Sequence, residues 1–92
     1  MKKITVLGST GSIGVNALDI IEKNPKRFRV AALAAGENIG LIKNQIEKFG
    51  PKAVYVKNKE LAGKLKNSLK TGNRVEIFYD DEGLKEIAAW PA

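Results

Sequence analysis

The chain contains neither cysteine nor histidine. The lack of cysteine excludes a disulfide scaffold, a thiolate metal site and a cysteine nucleophile. The lack of histidine removes the commonest general base and the histidine-based zinc sites. A chain of 92 residues has room for one small domain. The sequence is therefore not expected to form a complete hydrolase or a zinc enzyme.

Long apolar runs are also missing. The first apolar stretch, Ile4–Leu7, has four residues and stops at Gly8. A membrane-spanning helix needs about 18 consecutive apolar residues, and the apolar region of a signal peptide needs about 7–15. We therefore predict a cytoplasmic protein without a membrane partner.

The net charge of +6 comes from sixteen basic and ten acidic residues, and the excess is local. Between Lys48 and Arg74, eight basic residues accompany one acid, Glu60. Such a patch is found in nucleic-acid binders, but also on solvated helix faces that attract small anions. Beyond Phe49 at its start, the segment has a single aromatic residue, Tyr55, whereas single-strand binders interleave several stacking side chains. We favour the solvated face and predict no nucleic-acid partner.

Short apolar runs alternate with longer amphipathic stretches along the chain. The runs predict strands at residues 4–7, 29–35, 53–56 and 75–79. The stretches between and after them predict helices at 12–23, 38–49, 58–69 and 80–88, with a turn at 71–73. The inward face of the first helix is expected to carry Ile13, Ala17, Ile20 and Ile21. Strict alternation predicts an α/β fold, the N-terminal half of a Rossmann-like doubly wound parallel sheet.

A glycine-rich segment, Gly8-Ser9-Thr10-Gly11-Ser12-Ile13-Gly14, joins the first predicted strand to the first helix. Gly8 would let the chain turn sharply, Gly11 would let the backbone approach a pyrophosphate, and Gly14 would let the helix pack closely. The helix N-terminus adds unpaired N–H groups and about half a positive charge. This position predicts a phosphate-binding turn rather than a turn without a ligand. It is not a P-loop, because no Gly-Lys-Ser/Thr follows.

The loop after the second strand, Ala35-Gly36-Glu37-Asn38, is the second informative place. In this fold an acid there bonds the 2′-hydroxyl of NAD, whereas a cation suits the 2′-phosphate of NADP. Glu37 fits the first role, and fits equally an exposed acid near a helix start. Asn38 is expected to cap the second helix and can also face the ribose.

The acids Asp80, Asp81 and Glu82 stand at the start of the last predicted helix. Adjacent helical residues do not converge on one ion, and acids favour a helix N-terminus. The cluster therefore predicts the start of a helix rather than a metal site.

Several segments match one known family collinearly from Lys3 to about Val56: Lys3–Gly14, Ala17–Ile21, Asn24-Pro25, Phe28–Val30, Ala32-Leu33, Ala35-Gly36-x-Asn38, Gln45 and Phe49-x-Pro51. On these segments rests a resemblance of the chain to the 1-deoxy-D-xylulose 5-phosphate reductoisomerase family. It implies an oxidoreductase of non-mevalonate isoprenoid biosynthesis that uses NADPH and Mg²⁺, Mn²⁺ or Co²⁺. Such enzymes rearrange and reduce 1-deoxy-D-xylulose 5-phosphate to 2-C-methyl-D-erythritol 4-phosphate.

The resemblance also implies which residues hold the cofactor. Thr10, Gly11, Ser12 and Ile13 would bind its phosphates. Gly36, Glu37 and Asn38 would line the adenosine ribose and its 2′-phosphate. Some members of the family carry a lysine where this chain has Glu37.

Family members are considerably longer than this chain. Residues 1–92 are therefore expected to be an incomplete NAD(P)-binding domain, with the catalytic and C-terminal domains absent. No catalytic residue and no metal ligand is expected here, and the parent enzyme is expected to be a homodimer. Two alternatives stay open: a stand-alone dinucleotide-binding or sensing module without catalysis, and the cofactor domain of another NAD(P)-dependent oxidoreductase.

Overall fold

The computed structural model describes residues 2–70 and 73–90. Strands and helices alternate strictly, in the order β1 (Lys2–Leu7), α1 (Ser12–Lys23), β2 (Phe28–Ala34), α2 (Ile39–Phe49), β3 (Ala53–Tyr55), α3 (Lys59–Ser68), β4 (Glu76–Phe78) and α4 (Asp81–Ala88). All eight predicted elements are present, with ends that differ by up to two residues. The turn predicted at 71–73 falls mostly outside the described residues.

The strands form one parallel sheet in the order β1-β2-β3-β4. The register between β1 and β2 shifts once, between Ile4 and Thr5. Strand β4 lies at one edge, as its half-polar sequence predicted. Within the described part of the chain, the outer edge of β1 has no paired strand.

The two faces of the sheet are covered by different helices. The main core lies on the side of α1, α2 and α3, and its buried side chains include Leu18, Leu33, Ile42, Ile46, Val54 and Leu65. The other face is covered by α4, whose Ile87 packs on Ala32, Ala34 and Ala53. Helices on both faces of a parallel sheet make the fold doubly wound, which confirms the predicted class.

Helix α4 approaches its face of the sheet closely because small residues line the contact. A Cβ on Gly83 would lie 2.6 Å from Phe78 Cβ and 3.0 Å from Asp80 Oδ1. Beyond the end of α4, the Trp90 ring packs edge-to-face on Phe78, with centroids 6.2 Å apart. Trp90 therefore has a packing role.

The predicted inward face of α1 is wrong at two positions. Ile13 is 87% exposed and Ile20 is 58% exposed, while Gly14, Leu18 and Ile21 face the sheet. Helical spacing alone was compatible with either face packing on the sheet, since isoleucines and leucines lie around much of this helix. The helix takes the rotation that brings Gly14, which has no side chain, against the preceding turn.

We predict opposite effects of alanine at two helical glycines. Gly83→Ala should lower the free energy of unfolding by about 1–3 kcal/mol, because the added methyl group overpacks the contact with Phe78. Gly63→Ala should raise it by roughly 0.5–1 kcal/mol, because a Cβ there meets nothing within 4 Å and alanine favours the helix. Urea unfolding followed by circular dichroism checks both. Equal effects of the two changes would contradict the close packing of α4.

Candidate functional site

The turn between β1 and α1 is shaped by two glycines. Gly8 has a φ of +71°, a conformation that other residues rarely adopt. A Cβ on Gly14 would overlap the carbonyl oxygen of Gly8 and lie 2.7 Å from Ser9 Cα. The first turn of α1 therefore rests directly on the backbone of the turn. Both glycines have the roles that the sequence predicted.

The N-terminus of α1 differs from the other helix starts. Its N-cap residue is Gly11, and no side chain caps it. The other three helices are capped by the side chains of Asn38, Asn58 and Asp80. The first N–H groups of an α-helix have no partner within the helix, so at α1 they remain available to an anion. The positive end of the helix dipole adds to the attraction.

Gly11 is the glycine that the fold itself does not need. Its φ of −85° suits any residue, and an added Cβ would lie 3.4 Å from the Gly8 carbonyl oxygen. The absence of a side chain here leaves the backbone of the turn open to solvent. This is consistent with the predicted close approach of a pyrophosphate.

The first turn and the loop after β2 lie side by side at the carboxyl edge of the sheet. The Ser9 N–H donates to the Ala34 carbonyl at 2.9 Å. The Gly36 N–H donates to Thr10 Oγ1 at 3.5 Å, at the outer limit of a hydrogen bond. The structure thus brings together the two segments that hold all seven predicted cofactor-binding residues: Thr10, Gly11, Ser12, Ile13, Gly36, Glu37 and Asn38.

The side chains of the second loop have defined partners. Asn38 Oδ1 accepts from the Leu41 N–H at 3.1 Å, so Asn38 caps α2 as predicted. Glu37 Oε1 lies 3.0 Å from Lys57 Nζ. The sequence interpretation missed Lys57. Its position two residues after the end of β3 was the available signal, because parallel strands end at one edge of the sheet.

Gln45 of α2 supports the turn between β1 and α1 from its buried side. Its Nε2 donates to the Ser9 carbonyl at 2.8 Å, and both residues are buried. In the sequence, Gln45 is one of the residues that carry the family resemblance, and no partner for its amide was predicted. Ser9 Oγ and Gln45 Oε1 have no hydrogen-bond partner among the described residues. The turn therefore depends on one buried side-chain hydrogen bond from α2.

Three lysines of the basic segment form exposed ion pairs. Within the basic segment, Lys48 pairs with Glu22, Lys57 with Glu37 and Lys64 with Glu60. Asp80 accepts from the Gly83 N–H and so begins α4, as predicted.

In the described ranges, no three metal-ligating side chains converge. No described helix has the length and apolar character needed to cross a bilayer.

The sequence is similar to one enzyme family along nearly its whole length. The family model described as 1-deoxy-D-xylulose 5-phosphate reductoisomerase matches residues 4–92. The reductoisomerase of Geotalea daltonii is 50% identical over 84 residues, which are 91% of this chain and 22% of the relative. The chloroplastic reductoisomerase of Oryza sativa subsp. japonica is 45% identical over 91 residues, 98% of this chain and 19% of the relative. The chain thus spans about a fifth of the length of these curated relatives.

Solved structures of reductoisomerases have the same fold. The Zymomonas mobilis enzyme in complex with NADPH matches with a TM-score of 0.89 and 35% identity, over 99% of this chain and 24% of that one. A DOX-P reductoisomerase in complex with NADPH, fosmidomycin and magnesium matches with a TM-score of 0.85 and 30% identity, over 100% of this chain and 22% of that one. These likenesses confirm the predicted Rossmann-like sheet.

We predict that the buried Gln45 amide stabilises the turn. Gln45→Met keeps the approximate shape of the side chain but leaves the Ser9 carbonyl buried without its donor. The free energy of unfolding should fall by about 1–3 kcal/mol, as measured by urea titration. Asn44→Ala, at an exposed neighbour on the same helix, is the control and should change stability by less than about 0.5 kcal/mol. A Gln45→Met variant as stable as the control would contradict this role.

Proposed function

The chain belongs to the 1-deoxy-D-xylulose 5-phosphate reductoisomerase family, and from that premise we propose that it is the amino-terminal, NADPH-binding portion of such an enzyme. The whole enzyme would rearrange 1-deoxy-D-xylulose 5-phosphate and reduce the product to 2-C-methyl-D-erythritol 4-phosphate, a step of non-mevalonate isoprenoid synthesis. The observation that carries the proposal is the uncapped N-terminus of α1 on the glycine turn. The NADPH complex of the Zymomonas mobilis relative supports it.

The described residues fit a dinucleotide. The pyrophosphate would lie on the free N–H groups of the first turn of α1, beside the hydroxyls of Thr10 and Ser12. Gly11 leaves room for its approach. The adenosine ribose would lie against Gly36, Glu37 and Asn38, which Thr10 joins to the turn. When bound, the cofactor supplies a hydride for the reduction, and these residues bind and orient it.

We assign no catalytic residue and no metal ligand to this chain. The divalent metal, Mg²⁺, Mn²⁺ or Co²⁺, and the sugar phosphate would be bound by other parts of the parent enzyme. One solved relative holds magnesium together with NADPH, which supports both groups as ligands of the parent enzyme.

The path of α4 supports the proposal that residues 1–92 are the first half of a larger cofactor domain. Right-handed crossovers place α1, α2 and α3 on one face while the sheet grows from β1 to β4. Helix α4 packs on the opposite face. A parallel strand reached by a right-handed crossover through α4 would lie on the side of β1, whose outer edge is unpaired in the described chain. Catalytic and C-terminal domains would follow in the parent.

We also propose that the parent enzyme is a homodimer, that it is cytoplasmic, and that it has no nucleic-acid or membrane partner. The ion pairs within the basic segment are consistent with a solvated surface.

A pair of glycine variants tests the cofactor site. Gly11→Val should abolish NADPH binding in a calorimetric titration and lower the free energy of unfolding by only about 1 kcal/mol, because its Cβ would meet the Gly8 carbonyl oxygen at 3.4 Å and valine caps a helix less well than glycine. Gly14→Ala should instead lower the free energy of unfolding by about 3 kcal/mol or more, because its Cβ overlaps backbone atoms. NADPH binding retained by Gly11→Val would overturn the assignment of the turn.

A chimera tests the activity of the whole enzyme. The matching 84-residue segment of the Geotalea daltonii reductoisomerase is replaced by its counterpart from this chain. The chimera should oxidise NADPH when 1-deoxy-D-xylulose 5-phosphate is added, and the same chimera with Gly11→Val should not. A chimera that folds and binds NADPH but shows no substrate-dependent oxidation would favour a module without catalysis.

A further inference from the structure

The carboxyl end of β3 brings a cation to the proposed ribose subsite. Lys57 Nζ lies 3.0 Å from Glu37 Oε1. We propose that Lys57 determines the cofactor specificity of this chain. When NADP binds, the Lys57 ammonium group would leave the Glu37 carboxylate and bind the 2′-phosphate instead. This inference rests on the proposed function, since it assumes that the dinucleotide binds at this edge.

The backbone holds Lys57 at this place. Ala34 of β2 pairs with Tyr55 of β3, and the Ala35 N–H donates to the Tyr55 carbonyl at 2.9 Å. Val56 is fully buried, and its N–H donates to the Phe78 carbonyl. On the other side of Lys57, Asn58 caps α3 by accepting from Leu61 N–H at 2.9 Å. Lys57 thus lies between two fixed neighbours, beside the loop that carries Glu37.

The charge of Glu37 creates the need for such a cation. A carboxylate at the ribose accepts a hydrogen bond from the 2′-hydroxyl of NAD, but it repels a 2′-phosphate. Lys57 neutralises this charge and presents an ammonium group with three donors to the same place. A phosphate carries more negative charge than a carboxylate, and lysine binds phosphate as a point charge.

The Lys57–Glu37 ion pair contributes little to the stability of the fold. Lys57 can therefore exchange Glu37 for another anion at a low cost in free energy. The side chains of Lys57 and Glu37 are 64% and 67% exposed. Ion pairs with this exposure add little stability, because water screens them and both side chains lose freedom. Lys57 can therefore turn from Glu37 to a bound phosphate without a penalty to the fold.

The test is the affinity of the chain for NADP⁺ and for NAD⁺, measured by calorimetry at fixed ionic strength. Lys57→Met should weaken NADP⁺ binding about tenfold, because a charge-assisted contact is lost, and should change NAD⁺ binding by less than about twofold. Lys59→Met is the matched control: it removes the same charge from an exposed lysine two residues away. It should leave the ratio of the two affinities unchanged. Glu37→Gln should move the ratio about threefold toward NADP⁺.

The outcomes separate the two proposals. A chain that binds neither dinucleotide overturns the proposed function. A chain that binds both, with NADP⁺ affinity lowered equally by Lys57→Met and Lys59→Met, overturns the role of Lys57 and leaves the proposed function standing. The role of Lys57 is also overturned if Lys57→Met weakens both dinucleotides equally, or if Glu37→Gln weakens NADP⁺. The unfolding midpoints of all variants should match, since every changed side chain is exposed.

Discussion

The close contact between Gly14 and the backbone of Gly8 and Ser9 is the constraint on which the site depends. Gly14 has no side chain, and a Cβ would overlap the backbone there. The first turn of α1 can therefore rest on the preceding loop. This contact sets the rotation of α1, buries Leu18 and Ile21, and leaves Ile13 exposed. It also points the uncapped end of α1 toward the carboxyl edge of the sheet. The position of the proposed anion site therefore follows from how the helix packs.

The rest of the site is assembled by the parallel sheet. Parallel strands place their carboxyl ends at one edge, and the loops after β1, β2 and β3 meet there. Gln45 holds the first loop from the buried side, and Thr10 joins it to Gly36. Three helices use an Asn or Asp side chain to cap their own first turn, whereas no side chain caps the first turn of α1. Helix capping and the proposed anion binding are thus divided among different helix starts.

The sequence was sufficient for features that depend on neighbours along the chain. The order of strands and helices, the roles of Gly8 and Gly14, and the caps Asn38 and Asp80 follow from local patterns. The face of α1 was wrong because apolar residues lie on two sides of it, and only contact with the turn selects one. The Gln45–Ser9 bond and the Lys57–Glu37 pair join residues 36 and 20 positions apart. They depend on strand order, which local patterns do not specify.

The proposed function depends on binding of the NADPH pyrophosphate by the first turn of α1. The most direct measurement is a titration of the ¹⁵N-labelled chain with NADPH, followed by backbone amide chemical shifts. We expect the largest shifts at the amides of Ser12, Ile13 and Gly14, with smaller ones at Gly36 and Glu37. This expectation would be contradicted if these amides stayed unmoved while the shifts clustered in the groove between α1 and α2, near Leu41 and Phe49.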